Sequence, residues 1–310
     1  HPAQATAPEQ RLLLLRPVTS PATGVGAIDE RVMGGWEAMG MHQKVTFGED
    51  GSPGAVDAWT WLTAHTWSGW DLDVVAVEKP LKSTSDSPMG YDHLHPWEPE
   101  TPRDVPADCD FAGVSYFTAH HDARLVLGAD LQSDLLVIGP RGKGLMKALH
   151  IGSTAEWLVQ CPNTPTVIAR AGGTTRTIML CIDGSPHADA VVDLLVTLPW
   201  IASTSVTVLA VVENFDDIRG HAQTAADRLT AAGATVELNI VEPRGGGSKS
   251  DARATVHYVI NEAKPDLIAM GTRGLLGMQR LRLGSLASSV VRHSTTSVLL
   301  ARDHSEDVDG

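Results

Sequence analysis

The sequence predicts two consecutive α/β domains, each built on a doubly wound, parallel, five-stranded sheet, and three observations carry that expectation. A glycine spacing occurs twice: Gly139 and Gly142, nine residues, then Gly152 and Ser153; and again Gly271 and Gly274, nine residues, then Gly284 and Ser285. The turn Asp50-Gly51-Ser52-Pro53 returns as Asp183-Gly184-Ser185-Pro186, an offset of 133 residues, and the glycine loops are offset by 132. Apolar runs alternate with helix-patterned segments, the mark of strands joined by right-handed helical crossovers.

The second copy is the clearer of the two. Residues 178–182 read as a strand, and the turn at Asp183 opens a helix over about 188–198, with Pro186 near a first helical position. The nearly continuous apolar run 206–212 is that of a buried parallel strand. Residues 216–232 have helical spacing and stop at Gly233, and 235–241 alternate as a strand. A glycine-rich loop at 245–249 precedes a helix over about 251–264. The fourth strand is placed at 266–270, the last helix at 285–293 and the fifth strand at 297–301. The end of the first copy, Thr166 to Arg170, answers Val298 to Arg302, so the repeat runs the length of both domains.

These boundaries give a leader at 1–40, a first domain at 41–171, a second at 176–303 and an acidic tail at 304–310. The leader has scattered Pro, Gly and Ala and no sustained periodicity, and reads as disordered, or as appended or upstream-translated sequence. The alternative is a short docking arm using the apolar run 12–15. The first copy departs from the second in one stretch. Residues 80–113 carry prolines at 80, 88, 96, 99, 102 and 106, and interior prolines remove donors and clash with the preceding turn, so no continuous helix is expected there. Glu49 also stands where the second copy has Ile182. A remodelled rim and a lower nucleotide occupancy in the first copy follow.

No apolar stretch approaches the roughly 20 residues that cross a bilayer. A net charge of −13 argues against a broad nucleic-acid or anionic-membrane surface. Three cysteines, Cys109, Cys161 and Cys181, without C-x-x-C spacing, favour a reducing compartment, hence the cytoplasm. The glycine loops are nevertheless locally basic, with Arg141, Lys143 and Lys147 in one and Arg273, Arg280 and Arg282 in the other. Basic loops in an acidic chain point to a small anionic ligand.

The chemistry of that ligand follows from the motif. Glycines let backbone N–H groups approach an anion, and a helix start offers unpaired donors and a favourable dipole. In a doubly wound sheet ligands sit beyond the carboxyl ends of the strands, where connections diverge. The aspartate after the first strand and the glycine loop after the fourth both lie there. Asp183 is placed to accept from a ribose hydroxyl while the loop holds phosphates. The plainer reading of Asp50 and Asp183, as turn and capping residues, is outweighed by the distant glycine loops.

Asp183-Gly-Ser, the glycine spacing ending in Gly284 and Ser285, and the ending Val290-Val-Arg-His293-Ser with its final Val-Leu-Leu-Ala-Arg strand resemble the universal stress protein family. The resemblance covers about residues 41–302 and is to a tandem member of the ATP-binding type, as found in actinobacteria. It implies a universal stress protein fold, adenine nucleotide alpha hydrolase-like, in each copy. It also implies an ATP site made in the second copy by Asp183, the backbone of Val211, Gly271, Arg273, Gly274, Gly284 and Ser285. The corresponding positions of the first copy are Asp50, Val77, Gly139, Arg141, Gly142, Gly152 and Ser153. A Mg²⁺ ion bound through the phosphates is compatible with it, and no metal site made by protein alone is required. The resemblance further implies a stress-response sensor or regulator acting on an unknown protein partner. The two copies should pair through their last strands about a pseudo-twofold axis, and a homodimer of chains stays open.

The chain has no G-x-x-x-x-G-K-[ST], and Gly24-Val-Gly26 lacks a strand context. No nucleophile, base and orienting residue assemble from the sequence, which favours binding over catalysis, with slow ATP hydrolysis as the enzymatic alternative. An interaction module without nucleotide is the rival from another class. Tyr91, Asp92, His93, His95 and Trp97 read as a packed surface loop, since no third metal ligand has dependable spacing, and His120 and His121 point apart. The tryptophans read as core and interface filler.

Overall fold

The computed structural model describes residues 42–78, 95–96, 102–128, 131–142, 151–160, 164–170, 172–212, 218–243, 251–272 and 283–303. Expectations for the leader, the acidic tail, Tyr91 to His93, Trp97, Arg273 and Gly274 lie outside these residues.

The first half runs β1 (Gln43–Glu49), α1 (Pro53–Thr63), β2 (Trp70–Glu78), β3 (His95–Pro96), β4 (Gly113–His120), α2 (Ala123–Leu127), β5 (Leu135–Ile138), α3 (Ser153–Gln160) and β6 (Thr166–Ile168). The second runs β7 (Thr177–Ile182), α4 (Pro186–Leu195), β8 (Ser205–Val211), α5 (Ile218–Ala231), β9 (Thr235–Val241), α6 (Ala252–Ala263), β10 (Leu267–Gly271), α7 (Ser285–His293) and β11 (Ser297–Ala301).

Local chemistry fixes the first helix of each half in the same way. Ser52 and Ser185 take extended backbone, and their hydroxyls accept from the N–H groups of Ala55 (3.1 Å) and Ala188 (3.3 Å), while a proline with a fixed φ follows each cap. Helix α4 ends at Leu195, earlier than the pattern predicts, because Pro199 lies ahead and the backbone tightens through turns at Thr197 and Leu198. Asp251 caps α6 from Arg253 N and Ala254 N, and Lys264, at φ 47°, turns the chain out of its end.

All the described strands form one sheet in the order β3-β4-β2-β1-β5-β6-β11-β10-β7-β8-β9. Counting the parallel strands along the chain, each half has the order 3-2-1-4-5, the doubly wound arrangement expected. The first half adds β3 as a short antiparallel edge, which the sequence reading lacked: His95 pairs with Thr118 and Pro96 with Phe117. In place of a helix between β2 and β4, the described part of the proline-rich segment holds a short 3₁₀ turn, Ala107–Cys109, whose Cys109 is buried beneath the tryptophans of this half.

Both faces of the sheet are covered. In β5, Leu135 and Val137 join one core layer and Leu136 and Ile138 the other, which is why the strand reads as an unbroken apolar run. One layer gathers Phe47, Trp61, Trp67, Leu180, Val191 and Leu229; the other gathers Leu158, Ile168, Ile268, Val290 and Leu300.

The halves meet where the sequence placed their last strands. β6 and β11 are antiparallel, with Ile168 opposite Val298 and Thr166 opposite Leu300. Because every other pairing within the two five-strand sets is parallel, the carboxyl ends of the first set point opposite to those of the second. Two side-chain devices reinforce this joint. The buried guanidinium of Arg170 donates to Val291 O (2.7 Å) and Thr296 O (3.0 Å), and its backbone N–H donates to Ser297 Oγ (3.0 Å). His65 lies between Trp61 and Trp200, at ring-centroid distances of 4.6 and 4.4 Å. Its Nδ1 faces Trp61 O at 2.7 Å and its Nε2 faces the N–H of Thr175 at 3.0 Å. A carbonyl only accepts and a backbone N–H only donates, so the ring is the neutral Nδ1–H tautomer.

Candidate nucleotide site

In the second half the order of strands reverses between β7 and β10, which are neighbours with Cys181 opposite Met270. That register brings Asp183, just beyond the end of β7, beside Gly271 and Thr272. The Asp183 carboxylate is exposed and accepts from Ser185 N at 3.1 Å, fixing the turn, with Gly184 at φ 77°. A Cβ on Gly271 would lie 2.9 Å from both Ala188 N and the carbonyl carbon of His187, so the end of β10 presses directly on the start of α4. This close approach is a role the glycine spacing alone did not assign. The chain then returns to the site: Gly284 N donates to Thr272 O (2.7 Å), and Ser288 N, bonded to Gly284 O (2.9 Å), closes the first turn of α7.

The start of α7 is built to receive an anion. Gly284 stands at the cap position with no side-chain cap bond, and no acidic residue occupies the first turn. The first N–H groups of a helix have no partner within it, and the dipole there favours negative charge. Beside it, Thr272 is fully buried and its hydroxyl has no partner among the described residues. Ser285 is exposed at the first helical position. Val211 ends β8; the pairing of Ile182 with Ala210 sets it one residue beyond the last β7 pair. Arg273 and Gly274 fall outside the described residues. His221, from α5, lays its ring 3.1 Å from where a Cβ on Gly184 would sit, a neighbour no sequence signal marked.

The first half repeats the frame. Glu49 pairs with Ala76, which sets Val77 in the position of Val211. Asp50 Oδ1 accepts from Ser52 N (2.9 Å), Ser52 Oγ donates to Arg141 O (3.0 Å), and Gly152 N donates to Pro140 O (2.7 Å). Gly139 packs against Gly54 and Ala55 even more tightly than Gly271 packs against α4. A Cβ on Gly142 would meet Asp50 Oδ2 at 2.5 Å, so carboxylate and glycine loop are in contact. Ser153 is exposed at the start of α3, but here Glu156 lies in the first turn, where α7 has Ser288. Arg141 is exposed on the loop.

Burial shifts two titratable groups near the second site. Burial, with Asp183 adding to it, pushes the Cys181 thiol up to about 12, far from a thiolate nucleophile. Burial likewise raises Asp189, partly offset by His221. Among the described residues no three His, Cys, Asp or Glu side chains are gathered as a metal site. The same residues include no helix long and apolar enough to cross a membrane.

A parallel sheet of order 3-2-1-4-5, with a glycine turn and a helix start at its switch point, is a doubly wound α/β fold, the kind in which ligands sit beyond the carboxyl ends of the strands. Residues 174–302 match the model of the universal stress protein family, and the chain carries a domain of that family there. A universal stress protein of Mycolicibacterium smegmatis is 25% identical over 198 residues, which are 58% of this chain and 65% of that relative's length. The crystal structure of a universal stress protein from Archaeoglobus fulgidus shares the fold, with a TM-score of 0.56 at 16% identity, covering 84% of this chain and 98% of that one. A universal stress protein solved in complex with cAMP is 27% identical over 41% of this chain and 97% of its own, with a TM-score of 0.32.

Proposed function

We propose that this chain is a cytoplasmic stress-response regulator that binds ATP at the carboxyl ends of its strands and passes its nucleotide state to a protein partner. The observation that carries the reading is the start of α7, without a side-chain cap or acidic residues in its first turn and flanked by the buried hydroxyl of Thr272, which has no partner among the described residues. In this reading Gly284, Ser285 and the loop with Arg273 and Gly274 hold the phosphates. Asp183 accepts from the ribose, the backbone of Val211 meets the adenine edge, and a Mg²⁺ ion is held through the phosphates. Coupling to a partner requires that ATP bind two states of the protein with different affinity.

Calorimetric titration with ATP and Mg²⁺ tests the site. Gly284→Arg fills the helix start with a side chain and should abolish the heat of binding while far-UV circular dichroism stays unchanged. Absence of binding by the unaltered chain sinks the nucleotide reading in favour of an interaction module. Phosphate release above the Gly284→Arg control would instead identify a slow ATPase.

A further inference from the structure

The two carboxyl ends share a frame but not an entrance. Where the second half has the apolar, buried Ile182, the first has Glu49, whose Oε1 accepts from Gly51 N at 2.5 Å and whose Oε2 is paired with Nε of Arg103. A backbone donor of the turn is thereby taken up by the protein's own carboxylate, and Ile182 has no group to do this to Gly184. Arg103 comes from the described part of the proline-rich segment between β2 and β4. Its guanidinium lies 5.6 Å from the ring centre of Phe47 and 5.4 Å from that of Trp59, and its carbonyl accepts from Tyr116 Oη at 3.4 Å. Both partners are largely buried, with side-chain exposures of 23% for Arg103 and 14% for Glu49. Beyond them Asp50 already rests against Gly142.

We propose that Glu49 and Arg103 form a strap that seals the nucleotide site of the first half, so that the chain takes one adenine nucleotide, at its second half. The proposal rests on the nucleotide reading above and adds the residues that decide stoichiometry. A guanidinium placed over two aromatic rings and paired with a shielded carboxylate is held by three favourable contacts at once. A nucleotide entering would have to displace it and leave Glu49 unpaired next to Asp50, two carboxylates facing a polyanion. Among the described residues the second half, with Ile182, presents no such pair.

Native mass spectrometry with ATP and Mg²⁺ counts the nucleotides. The unaltered chain is expected to carry one, Gly284→Arg none, and Gly152→Arg still one. The double variant Glu49→Ile, Arg103→Leu replaces the pair by apolar groups together, which avoids stranding either charge, and is expected to carry two. Its second-half nucleotide serves as an internal report that the chain is folded. Two nucleotides on the unaltered chain, or loss of its single nucleotide in Gly152→Arg, would overturn the strap while leaving the nucleotide reading intact. A count that stays at one in the folded double variant also overturns it. No nucleotide on any form would overturn both.

Discussion

Set side by side, the ends of the first and second strand sets show how much of a ligand site is frame and how little is choice. Both have the Asp-Gly-Ser-Pro turn, a glycine at the end of the fourth strand packed on the first helix, and a backbone bond joining the glycine loop to the start of the last helix. Among the described residues they differ at Glu49 against Ile182, at Glu156 against Ser288, and in having Arg103 where the other half has helix α5. The frame is repeated because it holds the sheet and helices together. Charge and access at the mouth are free to diverge, because changing them leaves the core untouched.

The frame itself is best broken at its tightest contact. A methyl group on Gly139 would overlap backbone atoms of Gly54, whereas on Gly271 it would press on Ala188 N and His187 at 2.9 Å. Both contacts involve backbone, which cannot move aside as a flexible side chain can, but the overlap at Gly139 is deeper, 2.3 Å against 2.9 Å, so Gly139→Ala should cost more than Gly271→Ala, roughly 3 kcal/mol or more against about 1–2 kcal/mol. Urea unfolding of the two variants checks the order. Equal costs would mean that the two halves tolerate the same displacement of the first helix.

The joint between the halves gives the next largest effect. His65 occupies the position that Leu198 holds in the second half, and burial lowers its pKa to about 4, partly opposed by its bond to Trp61 O. An unfolded histidine titrates near 6.5. Between these values the unfolded chain binds a proton that the folded chain does not. Stability from this group is therefore complete above about pH 6.5, falls as the pH drops toward 4, and the full loss is about 3 kcal/mol. His257, lowered mainly by burial, acts in the same direction. Unfolding measured at pH 7.5 and 4.5 should show this loss, and His65→Leu should flatten the slope. An unchanged slope in that variant would remove His65 as the source.

How much of this was legible follows from the distances along the chain. The strand at 235–241, the helix at 285–293 and the strand at 297–301 stand where pattern and caps put them, since each is decided by its own residues. The convergence of Asp183 with the glycine loop was legible too, because strand order and the carboxyl-end rule follow from alternation of elements. What the sequence did not show are contacts made by residues far apart without periodicity. Arg103 meets Glu49 across 54 residues, and His65 meets Thr175 across 110. The short strand at His95 and Pro96 was hidden for a different reason: two residues carry no period, and the proline argues against a strand. The spacing that marks Gly139 and Gly271 also gave no sign that they first serve helix packing.

Arg170 tests whether the halves stand independently. Its guanidinium reaches from the end of β6 to the last turn of α7, where a cation also complements the helix dipole, and burial together with Arg141 lowers its pKa to about 10, still charged at neutral pH. Arg170→Met keeps most of the packing but removes both carbonyl contacts, a cost of about 2 kcal/mol by the usual worth of charged hydrogen bonds. If the joint couples the halves, the variant should also unfold less cooperatively, seen as separate transitions by tryptophan fluorescence, which is dominated by the first half, and by circular dichroism. A single shifted transition would show that β6 and β11 suffice.

The smallest effect lies at the opposite end of the strands, where the halves differ in how one aspartate ties the sheet. Asp134 accepts only from Lys44 N through Oδ2 among its described bonds, whereas Asp266 Oδ2 accepts from Arg176 N, Thr177 N and Thr177 Oγ1, each at 2.9 Å. Burial pushes the Asp266 pKa up, but these bonds, with Arg176, outweigh it and hold the carboxyl below its ordinary value. A depressed carboxyl stabilises the fold above its unfolded pKa, and that contribution fades as the pH falls through the folded value. Asp266→Asn retains one acceptor oxygen but not the charge, so about 1 kcal/mol is expected to be lost at pH 7, more than for Asp134→Asn. Because protonation makes the carboxyl resemble the amide, the gap between Asp266→Asn and the unaltered chain should close as the pH is lowered toward 3. A gap that persists there would assign the anchoring to shape alone and remove charge from the account of this end of the sheet.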